Sequence, residues 1–226
     1  MQYCTAILLA AGSGTRFDPN KTKQTYSLLG KSVLRRSAEA LASSSLVDAL
    51  VVVVRADEMG IAEEELVALP KPYKVVVGGE TRQQSAAIGF SHISPETTEV
   101  LIHDAARCLI RAQSIDAVAS AVRMHGAASA VSAVHDTVKR LDDSGRIVST
   151  LDRSGLCLAA TPQGFSVPLY RRALDHTIAV TDDNMLVEHL GISVYPVYVS
   201  ENPKITTPED MLYAEFLLGK RGCENE

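Results

Sequence analysis

The chain has 226 residues, 46% hydrophobic and 22% charged, with no tryptophan and a net charge of −5. That length suits one domain with a large core, and the composition excludes disordered, collagen-like and disulfide-stapled chains. The balance of 27 acidic against 22 basic side chains excludes a uniformly basic nucleic-acid binder, though not a local cationic pocket.

The N-terminal apolar run at 5–11 is short and has no basic segment before it, so it reads as a strand and not as a signal peptide. No segment approaches the ~20 apolar residues of a membrane helix, which excludes a membrane partner and makes the cytoplasm the expected location. Short runs rich in β-branched residues follow at 49–54, 74–77, 100–103, 128–133 and 194–199, and with 4–10 they predict strands buried on both faces. Helical patterns lie between several of them, at 33–41, 61–69, 82–90 and 115–124. Val33, Leu34, Ala38 and Leu41 share one stripe. Alternation of this kind predicts an α/β fold, a mostly parallel Rossmann-like sheet with right-handed crossovers and helices on both faces. Ligands then bind at the carboxyl ends of the strands.

One stretch breaks the rhythm. Residues 137–141 and 147–152 flank Asp142-Asp143-Ser144-Gly145 and read as a β-hairpin. Such a hairpin has no place in the sheet, so it is expected to protrude as an arm, at about 136–156, and to pack on a second copy as a homodimer. The tail 219–226 is polar and is expected to fray. Repeats and linkers are lacking, so residues 1–226 form one expected domain. Cys4, Cys108, Cys157 and Cys223 have no zinc-site spacing and fit a reducing compartment.

The first strand runs into Ala11-Gly12-Ser13-Gly14-Thr15-Arg16-Phe17. Glycines there let backbone N–H groups approach phosphate oxygens. A dinucleotide fingerprint would need glycine where Phe17 stands, which speaks against a dinucleotide-dependent oxidoreductase, and the P-loop spacing is also lacking. A plain strand-to-helix turn stays open. Arg16, Lys21 and Lys23 favour phosphate, which would gain charge-assisted hydrogen bonds from them. Asp104 ends a strand at the expected ligand edge, where it could hold Mg²⁺ or a substrate hydroxyl, or cap the next segment. His103 beside it reads as structural.

Leu9-Ala10-Ala11-Gly12-Ser13-Gly14-Thr15-Arg16, with Lys23-Gln24, resembles the signature of the sugar-phosphate nucleotidyltransferases. Within that group the chain is similar to the 2-C-methyl-D-erythritol 4-phosphate cytidylyltransferase family. The resemblance continues in order through Gly78–Ser85, His103-Asp104-Ala105-Ala106-Arg107, Asp136–Arg140 with Asp152-Arg153, Thr161-Pro162-Gln163, Thr181-Asp182-Asp183 and Asn202–Thr206. Three positions depart from the family pattern. Thr22 and Cys108 stand where proline is usual, and Glu80 where aspartate is usual.

The resemblance implies transfer of a cytidylyl group from CTP to a polyol phosphate, with a divalent cation such as Mg²⁺. It implies Arg16, Lys23 and Lys204 as the catalytic cations. Ala10, Ala11, Gly12, Ser13, Gly14, Gly79, Glu80 and Ser85 would bind CTP, the last three reading cytosine. Asp104, Arg107, Thr137, Arg153, Thr161 and Asp182 fall on the acceptor side, with Arg107 bonding either the acceptor phosphate or Asp104. Thr137 and Arg153 would reach the partner's site through the arm. A ribitol 5-phosphate cytidylyltransferase shares the first loop, the cytosine loop and T-P-Q, but 152–156 fits the methylerythritol branch better. A non-catalytic nucleotide-binding paralogue is disfavoured by retention of Arg16, Lys23, Asp104 and Lys204.

Overall fold

The computed structural model describes residues 2–12, 17, 22–176 and 178–223. In chain order the elements are β1 (Cys4–Leu9), β2 (Ser27–Leu28), β3 (Lys31–Ser32), α1 (Val33–Ser43), β4 (Ala49–Val54), α2 (Met59–Leu66), β5 (Tyr73–Val77) and α3 (Arg82–Ser91). Then come β6 (Glu99–Asp104), α4 (Ala112–His125), β7 (Ala127–Ala133), β8 (Lys139–Leu141), β9 (Ile147–Thr150) and β10 (Cys157–Ser166). The chain closes with α5 (Val167–Leu174), α6 (Asp183–His189), β11 (Tyr195–Tyr198) and α7 (Pro208–Cys223).

Seven strands form one sheet in the order β11-β7-β10-β6-β1-β4-β5. All neighbours are parallel except β10, which runs antiparallel to both β6 and β7. The sheet is therefore mostly parallel, as expected. Strand alternation sorts the core into two layers. Ala6 and Leu8 of β1 face a layer with Leu34, Leu41, Ile115 and Val118. Ile7 and Leu9 face one with Phe90, Phe165, Tyr170 and Leu186. Full burial of a side chain such as Ile7 contributes about 1.5–3 kcal/mol. A third cluster seats α7 through Met211, Ala214 and Leu217 on Leu28, Leu109 and Ile205.

Two expectations need correction. Strands β5 and β11 are the sheet's edges, so they are not buried on both faces; Tyr195 and Tyr198 are exposed. β-Branched content marks a strand but not its place in the sheet. The segment read as a fraying tail is helical as far as Cys223, because the apolar stripe of α7 carries the last turns with it. Strands β8 and β9 pair as a separate two-stranded sheet, every residue of which is exposed.

Candidate active site

Register places the carboxyl ends of β1, β4 and β6 side by side: Leu9 pairs with Val53 and with Asp104. Beyond them opens a cleft of about 760 Å³. Its walls are the segments that leave these strands: Leu9, Ala11 and Gly12 after β1, Arg55–Asp57 after β4, Gly78–Arg82 after β5, and Asp104 and Ala106 at β6. Lys23, Gln24, Lys204 and Thr206 complete the rim.

Helix α3 starts here with a capping box. The Thr81 hydroxyl accepts the Gln84 N–H at 3.1 Å, and Gln84 Oε1 accepts the Thr81 N–H at 3.0 Å. Ser85, buried one residue on, accepts the Gly79 N–H at 3.2 Å. Gly78 lets the loop close onto the first strand: a Cβ there would stand 2.7 Å from Ala11 Cβ and 2.8 Å from Ser85 Oγ. Gly79, Glu80 and Ser85 thus meet Ala11 and Gly12 across one gap, lined by backbone and small side chains, where a flat polar ring can be read by hydrogen bonds.

The opposite rim is cationic. Lys23 Nζ donates to the carbonyl of Ile205 at 3.0 Å, which joins it to the segment that carries Lys204. Lys204 Nζ bonds Asp104 Oδ2 at 2.7 Å, and Arg82 Nε bonds Asp104 Oδ1 at 3.0 Å. Arg82 continues to Asp183 Oδ2 at 2.6 Å, and the Tyr170 hydroxyl donates to Asp183 Oδ1 at 2.6 Å. Burial pushes the Asp104 pKa up, but the charges and hydrogen bonds of Arg82 and Lys204 outweigh it and hold the carboxyl well below the usual range. Asp104 is therefore a fixed anion that orients the Lys204 ammonium at the cleft edge.

His103 lies under this network, fully buried. The Thr161 hydroxyl accepts the Asp104 N–H at 3.0 Å and lies 3.1 Å from His103 Nδ1; His103 Nε2 lies 3.3 Å from the Arg107 carbonyl. These partners assign a neutral imidazole that donates from Nε2 and accepts at Nδ1. Burial pushes its pKa down to about 4. His103 and Thr161 brace the backbone that aims Asp104.

Of the residues singled out from the sequence, Lys23, Lys204, Ala11, Gly12, Gly79, Glu80, Ser85 and Asp104 line one cleft. Ala10 is buried directly behind it. Ser13, Gly14 and Arg16 lie outside the described residues. Arg107 makes no ion pair with Asp104; its guanidinium bonds the carbonyls of Asn202 at 2.9 Å and Ala159 at 3.5 Å, and burial lowers its pKa. Thr137 and Arg153 sit at the hairpin, where Arg153 bonds the His135 carbonyl. Asp182 caps α6 and accepts Gln163 Nε2 at 2.9 Å; its neighbour Asp183 is the carboxylate that joins Arg82. The sequence reading passed over Arg82, although it follows the Thr81 cap directly. Only the fold shows that its helix start faces two carboxylates.

Among the described residues no three His, Cys, Asp or Glu side chains gather to hold a metal ion. Of the carboxylates that line the cleft, Asp104 has both oxygens engaged, Oδ1 by Arg82 and Oδ2 by Lys204.

A mostly parallel α/β sheet whose carboxyl ends open on a cleft lined by two strand-end loops and by lysines from opposite ends of the chain suits a nucleotidyltransferase, and the comparisons show that class. A sequence profile described as "IspD: 2-C-methyl-D-erythritol 4-phosphate cytidylyltransferase" matches residues 4–220. A relative of that name from Pelotomaculum thermopropionicum is 38% identical, covering 98% of this chain and 96% of its own. Another, from Lachnoclostridium phytofermentans, is 39% identical over 96% and 97%. The crystal structure of 4-diphosphocytidyl-2C-methyl-D-erythritol synthase from Anaerococcus prevotii superimposes with a TM-score of 0.87 at 28% identity, covering 96% of each chain. The chain belongs to the 2-C-methyl-D-erythritol 4-phosphate cytidylyltransferase family.

Proposed function

We propose that this enzyme joins CTP to 2-C-methyl-D-erythritol 4-phosphate and releases pyrophosphate and 4-diphosphocytidyl-2-C-methyl-D-erythritol, a step of non-mevalonate isoprenoid synthesis. The observation that carries this reading is the meeting of Lys23 with the Lys204 segment opposite the Gly79–Ser85 loop, in one cleft. An acceptor phosphate oxygen attacks the α-phosphorus of CTP; the new P–O bond forms as the bond to the α,β-bridging oxygen breaks, and pyrophosphate leaves. A phosphate monoester, with its second pKa near ~6, is already an anion at neutral pH, so no general base is required. The chain must hold two anions together and stabilise the charge on the α-phosphate, which Lys23, Lys204 and Arg16 are placed in sequence to do.

Ser85 and the backbone of Gly79 and Glu80 read cytosine, while Ala10, Ala11, Gly12, Ser13 and Gly14 flank the triphosphate. Asp104 and Arg107 serve the acceptor, with Thr161 and Asp182 in supporting positions. Asp104 would be the protein-side carboxylate for a divalent cation such as Mg²⁺, which would neutralise charge on the triphosphate. The hairpin is the surface of a homodimer: Leu141, Ile147 and Val148 are each more than half exposed, as is Leu158 at the start of β10. Through it Thr137 and Arg153 reach the partner's acceptor site. Free Cys4, Cys108 and Cys157 fit a cytoplasmic location, and no described helix is long and apolar enough to cross a membrane. Incubation of the enzyme with CTP, Mg²⁺ and each acceptor in turn tests the assignment. Pyrophosphate release is expected with 2-C-methyl-D-erythritol 4-phosphate; release with ribitol 5-phosphate alone contradicts it.

A further inference from the structure

Lys23 is held at its ammonium end by the Ile205 carbonyl, at 3.0 Å. Its backbone needs a second anchor, because it lies in a three-residue 3-10 turn, Lys23–Thr25. Thr22 occupies the N-cap position of that turn, yet its hydroxyl makes no capping bond. The hydroxyl donates across the fold to Glu58 Oε1. Glu58 stands at the N-cap of α2, and it too makes no capping bond. Two side chains at helix starts bond each other and not their own first turns.

Glu58 is a firm post for such a bond. It is only 8% exposed, its N–H is held by the Arg55 carbonyl at 3.1 Å, and α2 is pinned to the core by Ala62 and Leu66. A hydrogen bond to a buried carboxylate is among the stronger kinds. We propose that Thr22 and Glu58 form a tether that positions Lys23 in the cleft: α2 fixes the backbone of the lysine while Ile205 fixes its ammonium. Both are positioning residues, and the inference rests on the reading of Lys23 as a catalytic lysine. Thr22 has φ −75° and ψ 143°, and that φ lies in the range the proline ring fixes. The hydroxyl bond thus supports through space a backbone shape that a ring could support covalently.

This gives a rescue test with two readouts on the full chain. One is amide hydrogen exchange at Thr25 and Tyr26, whose N–H groups bond the carbonyls of Thr22 and Lys23 at 3.3 Å each. The other is the kcat and KM of pyrophosphate release from CTP and acceptor. Thr22→Val is expected to speed exchange and lower kcat by about tenfold, with KM for CTP within about twofold. Thr22→Pro is expected to restore kcat and the slow exchange of Tyr26. Glu58→Ala reproduces Thr22→Val and adds nothing to it in the double variant, whereas Glu58→Gln, still an acceptor, stays near wild type. Wild-type exchange and kcat in Thr22→Val, or a Thr22→Pro variant as slow as Thr22→Val, overturns the tether. If Thr22→Val is normal while Lys23→Ala is slow, the tether alone fails. If Lys23→Ala turns over normally, the role of Lys23 fails and the tether with it.

Discussion

Lys23 and Lys204 enter the cleft from opposite ends of the chain, and each is oriented by a partner that leaves its charge at the rim. Donors of this kind act on charge that develops only in the transition state, so their loss falls on turnover. Lys23→Ala and Lys204→Ala are each expected to lower kcat by about 10²-fold or more in a pyrophosphate-release assay; wild-type rates in both would remove them from the mechanism. Arg82 carries a stability role as well. Its removal strands Asp183, whose side chain is 1% exposed, so Arg82→Met is expected to cost about 3 kcal/mol in urea denaturation. A loss within experimental error would mean that Asp183 finds another partner. His103 contributes a pH dependence of its own. Its folded pKa of about 4 lies below the ~6.5 of an unfolded histidine, so the unfolded chain binds a proton that the fold refuses. This contribution is fully present above pH ~6.5 and declines as pH falls to about 4, by a total of the order of 3 kcal/mol. Asp104 acts in a lower window: its depressed folded pKa gives stability that is complete above ~3.9 and is lost as pH falls further. Denaturation at pH 7 and pH 4.5 is expected to show the His103 slope in wild type and a flatter one in His103→Asn.

At the scale of elements the hairpin makes the sharpest demand. Strands β8 and β9 place Leu141, Ile147 and Val148 in solvent with no sheet to cover them, an arrangement that a second copy of the chain would bury. On the proposed dimer, Val148→Lys is expected to shift the protein from dimer to monomer in sedimentation velocity, and to lower turnover if Thr137 and Arg153 serve the partner's site. A wild-type monomer, or an unchanged dimer in the variant, contradicts the arm's role. Elements with continuous apolar runs were legible in the sequence: β1, β4 and β6 fall within a residue or two of expectation, and so does the start of α3. Strand β10 was not. Pro162 interrupts it, and the pairing with β7 shifts register between Ala159 and Gln163, so the run lacks the period that marks a strand. Helix α6 is seven residues long and announced mainly by its Asp182 cap, too little for periodicity. The candidate site was legible where a motif carried it, as at Gly79, Ser85 and Asp104. Arg82 was missed because its partners, Asp104 and Asp183, are distant in the chain and become neighbours only through the sheet order.

Across the whole molecule, a net acidic chain concentrates its useful cations at one edge of one sheet. Lys23, Arg82 and Lys204 come from three segments and converge where β1, β5 and β6 end. The remaining charge spreads over a surface that needs only to be soluble. Two anionic substrates can then meet in a cleft whose floor is rigid, because the strands below it are packed on both faces. The central claim is the identity of the bond this cleft makes, and ³¹P NMR of the enzyme with CTP, Mg²⁺ and 2-C-methyl-D-erythritol 4-phosphate reads it directly. The predicted spectrum shows a new pair of coupled diphosphate doublets growing together with pyrophosphate as the CTP signals fall. Appearance of CMP without a new diphosphate, or no change with this acceptor and conversion of ribitol 5-phosphate instead, would contradict the account.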